Sequence, residues 1–289
     1  MIFDRRPCDL GEGLLWHPLR EQMFWFDILA GKMLSVEEGQ PREWQFPFMV
    51  SAAGWIDRDR LLIAGESGLF IFDLATEAAS DLIALDAGDP TTRSNDGRAD
   101  PQGGFWISTM GKAAESGRGA IWRFFNGEIR KLYPSLTIPN AICFAPDGGA
   151  AYFTDTVTKQ VQRVSLDAAG WPKGSPECFL DLEGEGSEPD GAVVDAEGLL
   201  WLAQWGAGQV CAFSPSGEKV REIAFAAPNT SCPAFGGPDL TTLFCTSALQ
   251  GMDAAARAAC PAAGMTFAHA GAGRGRAEPA VSCGALPLI

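Results

Sequence analysis

Oxygen-bearing side chains recur at one position of a repeating pattern in this 289-residue chain. Six times an apolar run ends at a turn, and its last apolar residues are Trp16, Ile56, Ala99, Phe144, Val194 and Phe235. Four residues before these stand Glu12, Ala52, Asn95, Asn140, Asp190 and Ser231. Two carboxylates and two amides at equivalent places suit a hard divalent cation such as calcium, magnesium or manganese, which takes oxygen ligands. A single Asn or Asp beside a turn ordinarily binds nothing but nearby backbone. Four oxygen donors in one ring are harder to explain that way, because a buried ring of unpaired polar groups is costly.

The elements that must position them follow from the spacing. The six anchors lie 40, 43, 45, 50 and 41 residues apart, and each is followed by turn residues and a second apolar run, as in APDGGA-AYFTD and DAEG-LLWLAQ. A period in the forties with four short strands per unit predicts an all-β fold, a six-bladed β-propeller of four-stranded blades. Unit four shows its strands as AICFAP, AAYFTD, QVQRVSL and ECFLDL. No long amphipathic pattern argues for α/β. Six units fill residues 1–289 as a single domain. In such a fold the innermost strands line a central channel, and the recurring position falls at one mouth. The last unit is short of strands, so residues 1–7 are expected to complete it beside residues 264–281, covering an open sheet edge. MDAAARAAC, near residue 252, reads as a helical turn.

Composition removes several classes of function. A net charge of −14 argues against nucleic acid, which needs a basic footprint. No apolar run is long enough for a membrane helix, and MIFDRRPCDLGEG lacks the basic start and apolar core of a signal peptide. The eight cysteines are scattered singly, with Cys143, Cys211 and Cys245 inside strand-like runs, which fits a reduced, cytoplasmic protein. The two histidines, His17 in a turn and His269 in the last strand region, are too few for a zinc finger, an HExxH site or a histidine cluster. A serine triad lacks its GxSxG elbow. GAGRGR, residues 271–276, has no helix after it and reads as a loop.

GEGLLW, RSNDGRADPQGGFWISTMG, IPNAICFAPDG, EPDGAVVDAEGLLWLAQWG and NTSCPAFGGPDLTTLFCTS resemble the gluconolactonase/regucalcin/luciferin-regenerating-enzyme family. The resemblance covers all six units in order. It implies a six-bladed propeller that hydrolyses sugar lactones with one divalent metal in the channel. The metal would be held by Glu12 of GEG, Asn140 of PNA and Asp190 of PDG. The family's RxND motif matches Arg93 and Asn95, which would contact substrate. Some members place an acidic residue of the following loop on the sugar, for which Glu115 is the candidate. Calcium, zinc, manganese, magnesium and iron all serve in the family, so the resemblance leaves the ion open.

The expected partner is a small-molecule sugar lactone. The expected mechanism has water attacking a metal-polarised carbonyl, with Asp190 as general base. A calcium-dependent phosphotriesterase-like hydrolase is the nearest rival, against which Arg93 speaks as a reader of hydroxyls. A non-catalytic calcium-binding propeller is the second. Asp27, Asp155 and Gln204 end the second strands of their units, where a carboxylate either supports the channel residues or accepts backbone N–H bonds. Trp16, Trp25, Trp106 and Trp201 are expected between blades, and Trp205 is the tryptophan placed to reach the mouth.

Overall fold

Short apolar runs alternating at period two, cut by Gly, Asp and Pro turns, form strands of three to ten residues over the described part of the chain, residues 1–284 of a computed structural model. They pair antiparallel into six four-stranded sheets. The innermost strands of blades one to six are Gly11–His17, Val50–Trp55, Thr92–Ala99, Pro139–Phe144, Glu188–Val194 and Thr230–Gly236. His17, expected in a turn, is the last residue of the first of these and is buried. The stretch near residue 252 forms one short helix, Ala254–Ala259, whose N-terminus is capped by the Asp253 side chain.

The core is divided into slabs between neighbouring blades. Phe24, Phe26 and Trp44 of blade one meet Leu61, Ile63 and Phe72 of blade two. Equivalent clusters fill every other seam, with Trp106 between blades three and four and Trp201 between five and six. Trp16 and Trp25 pack between blades six and one. Each large apolar side chain buried in these seams contributes roughly 1.5–3 kcal/mol relative to exposure. The tryptophans expected between blades are therefore there.

The ring closes as the sequence implied. Ile2–Asp4 pairs with Thr266–His269 as the outermost strand of blade six, in the order that places the first strand beside the last. The Met1 ammonium donates to the Ala268 carbonyl at 2.7 Å, and Phe3 packs in the seam between blades six and one. Residues 270–284 do not extend this strand. They run as a strap over the far end of the channel, where the apolar anchors lie. Arg274 O accepts from Ala196 N–H at 2.8 Å in blade five, Val281 N–H donates to Trp55 O at 2.8 Å in blade two, and Ser282 N–H donates to Gly103 O at 2.7 Å in blade three. Beneath the strap, Arg98 is buried and ion-paired with Glu278. GAGRGR is coil within this strap.

Candidate active site

All six innermost strands are bulged at the recurring position. Pairing with the second strand skips between Glu12 and Leu15, Val50 and Ala52, Ser94 and Gly97, Asn140 and Cys143, Pro189 and Ala192, and Thr230 and Pro233. A bulge sets two residues opposite one, bends the strand and re-aims the neighbouring side chains. At Gly13 the backbone has φ +60°, and a Cβ there would collide with the Ser51 carbonyl oxygen of the next blade. Glycine is the residue that fits directly after Glu12. Gly191, directly after Asp190, lies against the Ser231 carbonyl oxygen, 2.7 Å from where a Cβ would sit.

The result is a cavity of about 110 Å³ with two tiers of side chains. Glu12, Asn95, Asn140 and Asp190 form the lower tier, all buried. Two residues earlier stand Arg93 and Glu188 on the same strands, and Leu10 and Ile138 directly before theirs, all lining the same cavity. Successive side chains of a strand alternate faces, so residues two apart share one. Met110, Thr156, Trp205 and Gln250 complete the wall, which puts Trp205 at the mouth. The remaining ring positions turn elsewhere. Ala52 packs in the seam between blades two and three, and Ser231 donates to Gly11 O at 2.5 Å, tying blade six to blade one.

Side-chain hydrogen bonds link the blades around this cavity. Arg93 Nη1 donates to Asn95 Oδ1 at 2.8 Å and to Ser94 O at 2.9 Å. Asn95 Nδ2 donates to Pro139 O at 3.1 Å and to Asn140 Oδ1 at 3.0 Å. Asn140 Nδ2 donates to Thr156 Oγ1 at 3.0 Å, and that hydroxyl donates to Pro189 O at 2.8 Å. The chain runs from blade three to blade five and fixes which way each amide faces. Asn140 Oδ1 keeps one lone pair for the cavity, and Asn95 has both N–H bonds committed to blade four. Arg93 donates through Nη1 alone among the described residues, which leaves Nε and Nη2 for a ligand.

Each of three lower-tier residues is also braced from behind. Asp27 accepts from Asp9 N–H at 2.9 Å and Leu10 N–H at 3.1 Å, just before Glu12. Asp155 accepts from Thr137 N–H at 2.8 Å and Ile138 N–H at 2.9 Å, just before Asn140. Gln204 Oε1 accepts from the Ser187 hydroxyl at 3.0 Å, just before Asp190. The two readings of Asp155 thus coincide, since accepting backbone N–H bonds is how it supports its neighbour.

Electrostatically the cavity holds more acidic groups than basic ones, with Glu12, Asp190 and Glu188 against Arg93. Burial, and then the nearby Asp96 charge, pushes the Glu12 carboxyl up to about 8. Burial, then Glu12 and Asp96, raises Asp190 well above the usual carboxylate range. Burial pulls the Arg93 guanidinium down to about 10, against the attraction of Glu12 and Asp190. Two carboxylates whose burial disfavours their charge, beside an amide oxygen with a spare lone pair, fit a divalent cation. Among the described residues no group of three or more His, Cys, Asp or Glu is arranged for a metal, so such a site needs the Asn140 amide.

The structure brings together Glu12, Arg93, Asn95, Asn140 and Asp190, and it leaves Glu115 out. Glu115 is exposed, and its carboxylate folds back to accept from Ala113 N–H at 3.1 Å in its own loop. Asp96, Thr156, Glu188 and Gln250 were not singled out from the sequence. Asp96 lies beside Asn95 in the same bulge and accepts from Ile142 N–H at 2.7 Å, an amide freed by the bulge of blade four. Burial is the main cause that raises its carboxyl, to about 6. Its signal was an acidic residue inside an innermost strand. That of Glu188 was its place two residues before Asp190, as Arg93 stands two before Asn95.

Comparison with known proteins agrees with this geometry. A protein of Rhizobium meliloti (strain 1021), named as a candidate sugar lactone lactonase, is 44% identical over 94% of this chain and 93% of its own. The 6-deoxy-6-sulfogluconolactonase of Pseudomonas putida is 32% identical, over 95% of this chain and 96% of its own. The crystal structure of a calcium-binding protein, regucalcin, from Agrobacterium tumefaciens superposes with a TM-score of 0.95 at 39% identity, covering 97% of this chain and 96% of that one. The SMP-30/gluconolactonase/LRE-like model matches residues 10–249, a span that begins just before Glu12 and holds the whole two-tiered cavity except Gln250. With six bulged blades, the GEG, RSND, PNA and PDG residues gathered at one mouth and relatives matched nearly end to end, the chain belongs to the SMP-30/gluconolactonase/LRE-like family.

Proposed function

We propose that this protein hydrolyses a sugar lactone to the open aldonic acid, with a divalent cation held by Glu12, Asn140 and Asp190. The observation that carries the reading is the convergence of two buried carboxylates and an oriented amide oxygen beneath an arginine with free donors, all lining one cavity. The names of the nearly full-length relatives support the substrate class.

A divalent cation bound there would polarise the lactone carbonyl and stabilise the negative charge that develops on its oxygen. Asp190 takes the proton of the water that attacks the carbonyl carbon. It returns that proton to the ring oxygen as the C–O bond breaks, leaving a free hydroxyl and a carboxylic acid that releases its remaining proton to solvent. Arg93 donates from Nε and Nη2 to oxygens of the bound ring as a rigid planar fork. Asn95 Oδ1 and the Ser94 carbonyl hold that fork through Nη1. Leu10, Ile138, Met110 and Trp205 form an apolar wall that keeps competing water from the reacting carbonyl.

The test is hydrolysis of aldonolactones by protein stripped with chelator, then supplied in turn with calcium, manganese, magnesium, zinc and iron. Activity lost on stripping and restored by at least one ion is expected. Absence of hydrolysis with every ion would overturn the reading. Tight calcium binding with no turnover would instead favour a calcium-binding role, as the Agrobacterium tumefaciens relative is described.

A further inference from the structure

We propose that Glu188 selects the ligand: its carboxylate reads the hydroxyls of a neutral polyhydroxylated ring and turns away rings that carry a second anionic group. This deepens the lactonase reading and rests on it for the identity of the ring. Glu188 begins the innermost strand of blade five and lines the cavity in the upper tier, the tier that also holds Arg93. It is exposed, and among the described residues its carboxylate makes neither an ion pair nor a hydrogen bond. Among the other polar groups of the cavity, Glu12 and the two asparagine amides are engaged. Glu12 accepts from Gly13 N–H at 3.2 Å, and the amides form the chain from Arg93 to Pro189.

An ionised carboxylate only accepts, with room for several O–H donors on its two oxygens. Vicinal sugar hydroxyls supply such donors, while Arg93 serves their lone pairs from blade three. Directly opposite Glu188 in the strand register is Trp205, which lines the same cavity. An apolar face beside an acceptor matches a sugar ring, whose C–H face is apolar and whose rim is hydroxylated.

Charge points the same way. Glu12, Asp190 and Glu188 line the cavity against Arg93 as its one basic residue. Two positive charges placed at Glu12 and Asp190 bring the lining to neutrality, and it is Glu188 that removes the surplus. A sulfonate or phosphate on the ring would find Arg93 as the one basic group of the lining, already serving the ring oxygens, and would meet like charge at Glu188. The Pseudomonas putida relative is named for a lactone that bears a sulfonate, so this family accommodates both kinds of ring.

The experiment uses probes that cannot be hydrolysed, 1,5-anhydro-D-glucitol and its 6-O-sulfate, titrated calorimetrically into cation-loaded protein. The wild type is expected to bind the neutral ring at least tenfold more tightly than the sulfate. E188Q and E188A should each weaken the neutral ring about tenfold and shrink the preference below threefold, with melting temperatures unchanged because the residue is exposed. An unaltered preference in both variants, tighter binding of the sulfate by the wild type, or binding of neither probe would overturn the proposal. The same proteins are then assayed on D-glucono-1,5-lactone. The expected binding pattern without hydrolysis sinks the lactonase reading and leaves this inference standing. Hydrolysis with binding indifferent to residue 188 does the reverse.

Discussion

The side-chain amide of Asn95 donates to Oδ1 of Asn140 at 3.0 Å, across the seam between blades three and four. That bond decides which atom of Asn140 faces the cavity, because the opposite end of the same amide is held by Thr156. An Asn140 turned about would present N–H groups to a cation. Asn95→Ala should therefore weaken divalent-cation binding by roughly 10–100-fold, the usual effect of removing a residue that orients a ligand. Calorimetric titration with calcium or manganese checks this, and unchanged affinity would show that Asn140 needs no such partner.

Asp155 satisfies two backbone N–H groups that precede Asn140. Asp155→Ala strands both, at a cost of about 1–3 kcal/mol for each unsatisfied buried donor. Urea denaturation should register that loss, and cation affinity should fall with it. Asp27→Ala is expected to do the same for the segment before Glu12, through Asp9 and Leu10.

Stability of the cation-free protein should fall as pH rises. Glu12 and Asp96 both have carboxyls raised in the folded chain, Glu12 to about 8 and Asp96 to about 6. Between the ordinary carboxylate range and these values the folded chain binds protons that the unfolded chain has released. Stability is thus fully present at low pH and lost as pH climbs through about 6 and then about 8, by ~1.4 kcal/mol per pH unit for each proton involved. Melting temperatures measured from pH 5 to pH 9 should decline without cation and flatten when excess calcium is added. A rising curve without cation would contradict the assignment.

The proposed roles separate by mutation. Asp190→Asn should abolish lactone hydrolysis while keeping part of the cation affinity, whereas Glu12→Gln should mainly weaken the cation. Arg93→Ala should raise KM more than it lowers kcat if the guanidinium binds ground state and transition state alike. Steady-state kinetics with paired binding measurements tell these apart, and an active Asp190→Asn enzyme would remove Asp190 as base.

Closure of the ring can be tested by deleting residues 1–7. The deletion removes the outermost strand of blade six and the Phe3 side chain from the seam with blade one. Loss of a fully buried Phe costs about 3–5 kcal/mol, and the half-buried Phe3 contributes less than that. A marked drop in melting temperature is expected, and an unchanged melt would mean the strand adds little.

The legible part of the site is the part written by periodicity. Once the repeat set the blades, Glu12, Asn140 and Asp190 had to share one mouth. Arg93 and Asn95 came with them because a strand's alternation is local. What escaped depended on things that periodicity does not carry. Glu115 lies in a loop whose course follows from its own turns, and there its carboxylate binds Ala113 N–H. Asp96 owes its role to paired bulges that free the Ile142 amide for it, and a bulge is invisible in a pattern of apolar residues. Glu188 could have been found by extending to blade five the two-residue step that links Arg93 to Asn95.

The strap of residues 270–284, whose Glu278 pairs with the buried Arg98, covers the far end of the channel. With that end covered, the mouth lined by Trp205 and Glu188 serves both entry and exit in the proposed reaction. A lactone arriving neutral would depart as an anion against incoming traffic, past Trp205 and the carboxylate of Glu188. Product and substrate then compete for one passage, and departure of the aldonate becomes a step that the upper tier can hasten by repulsion. In this molecule the floor laid by the tail makes the rim a turnstile.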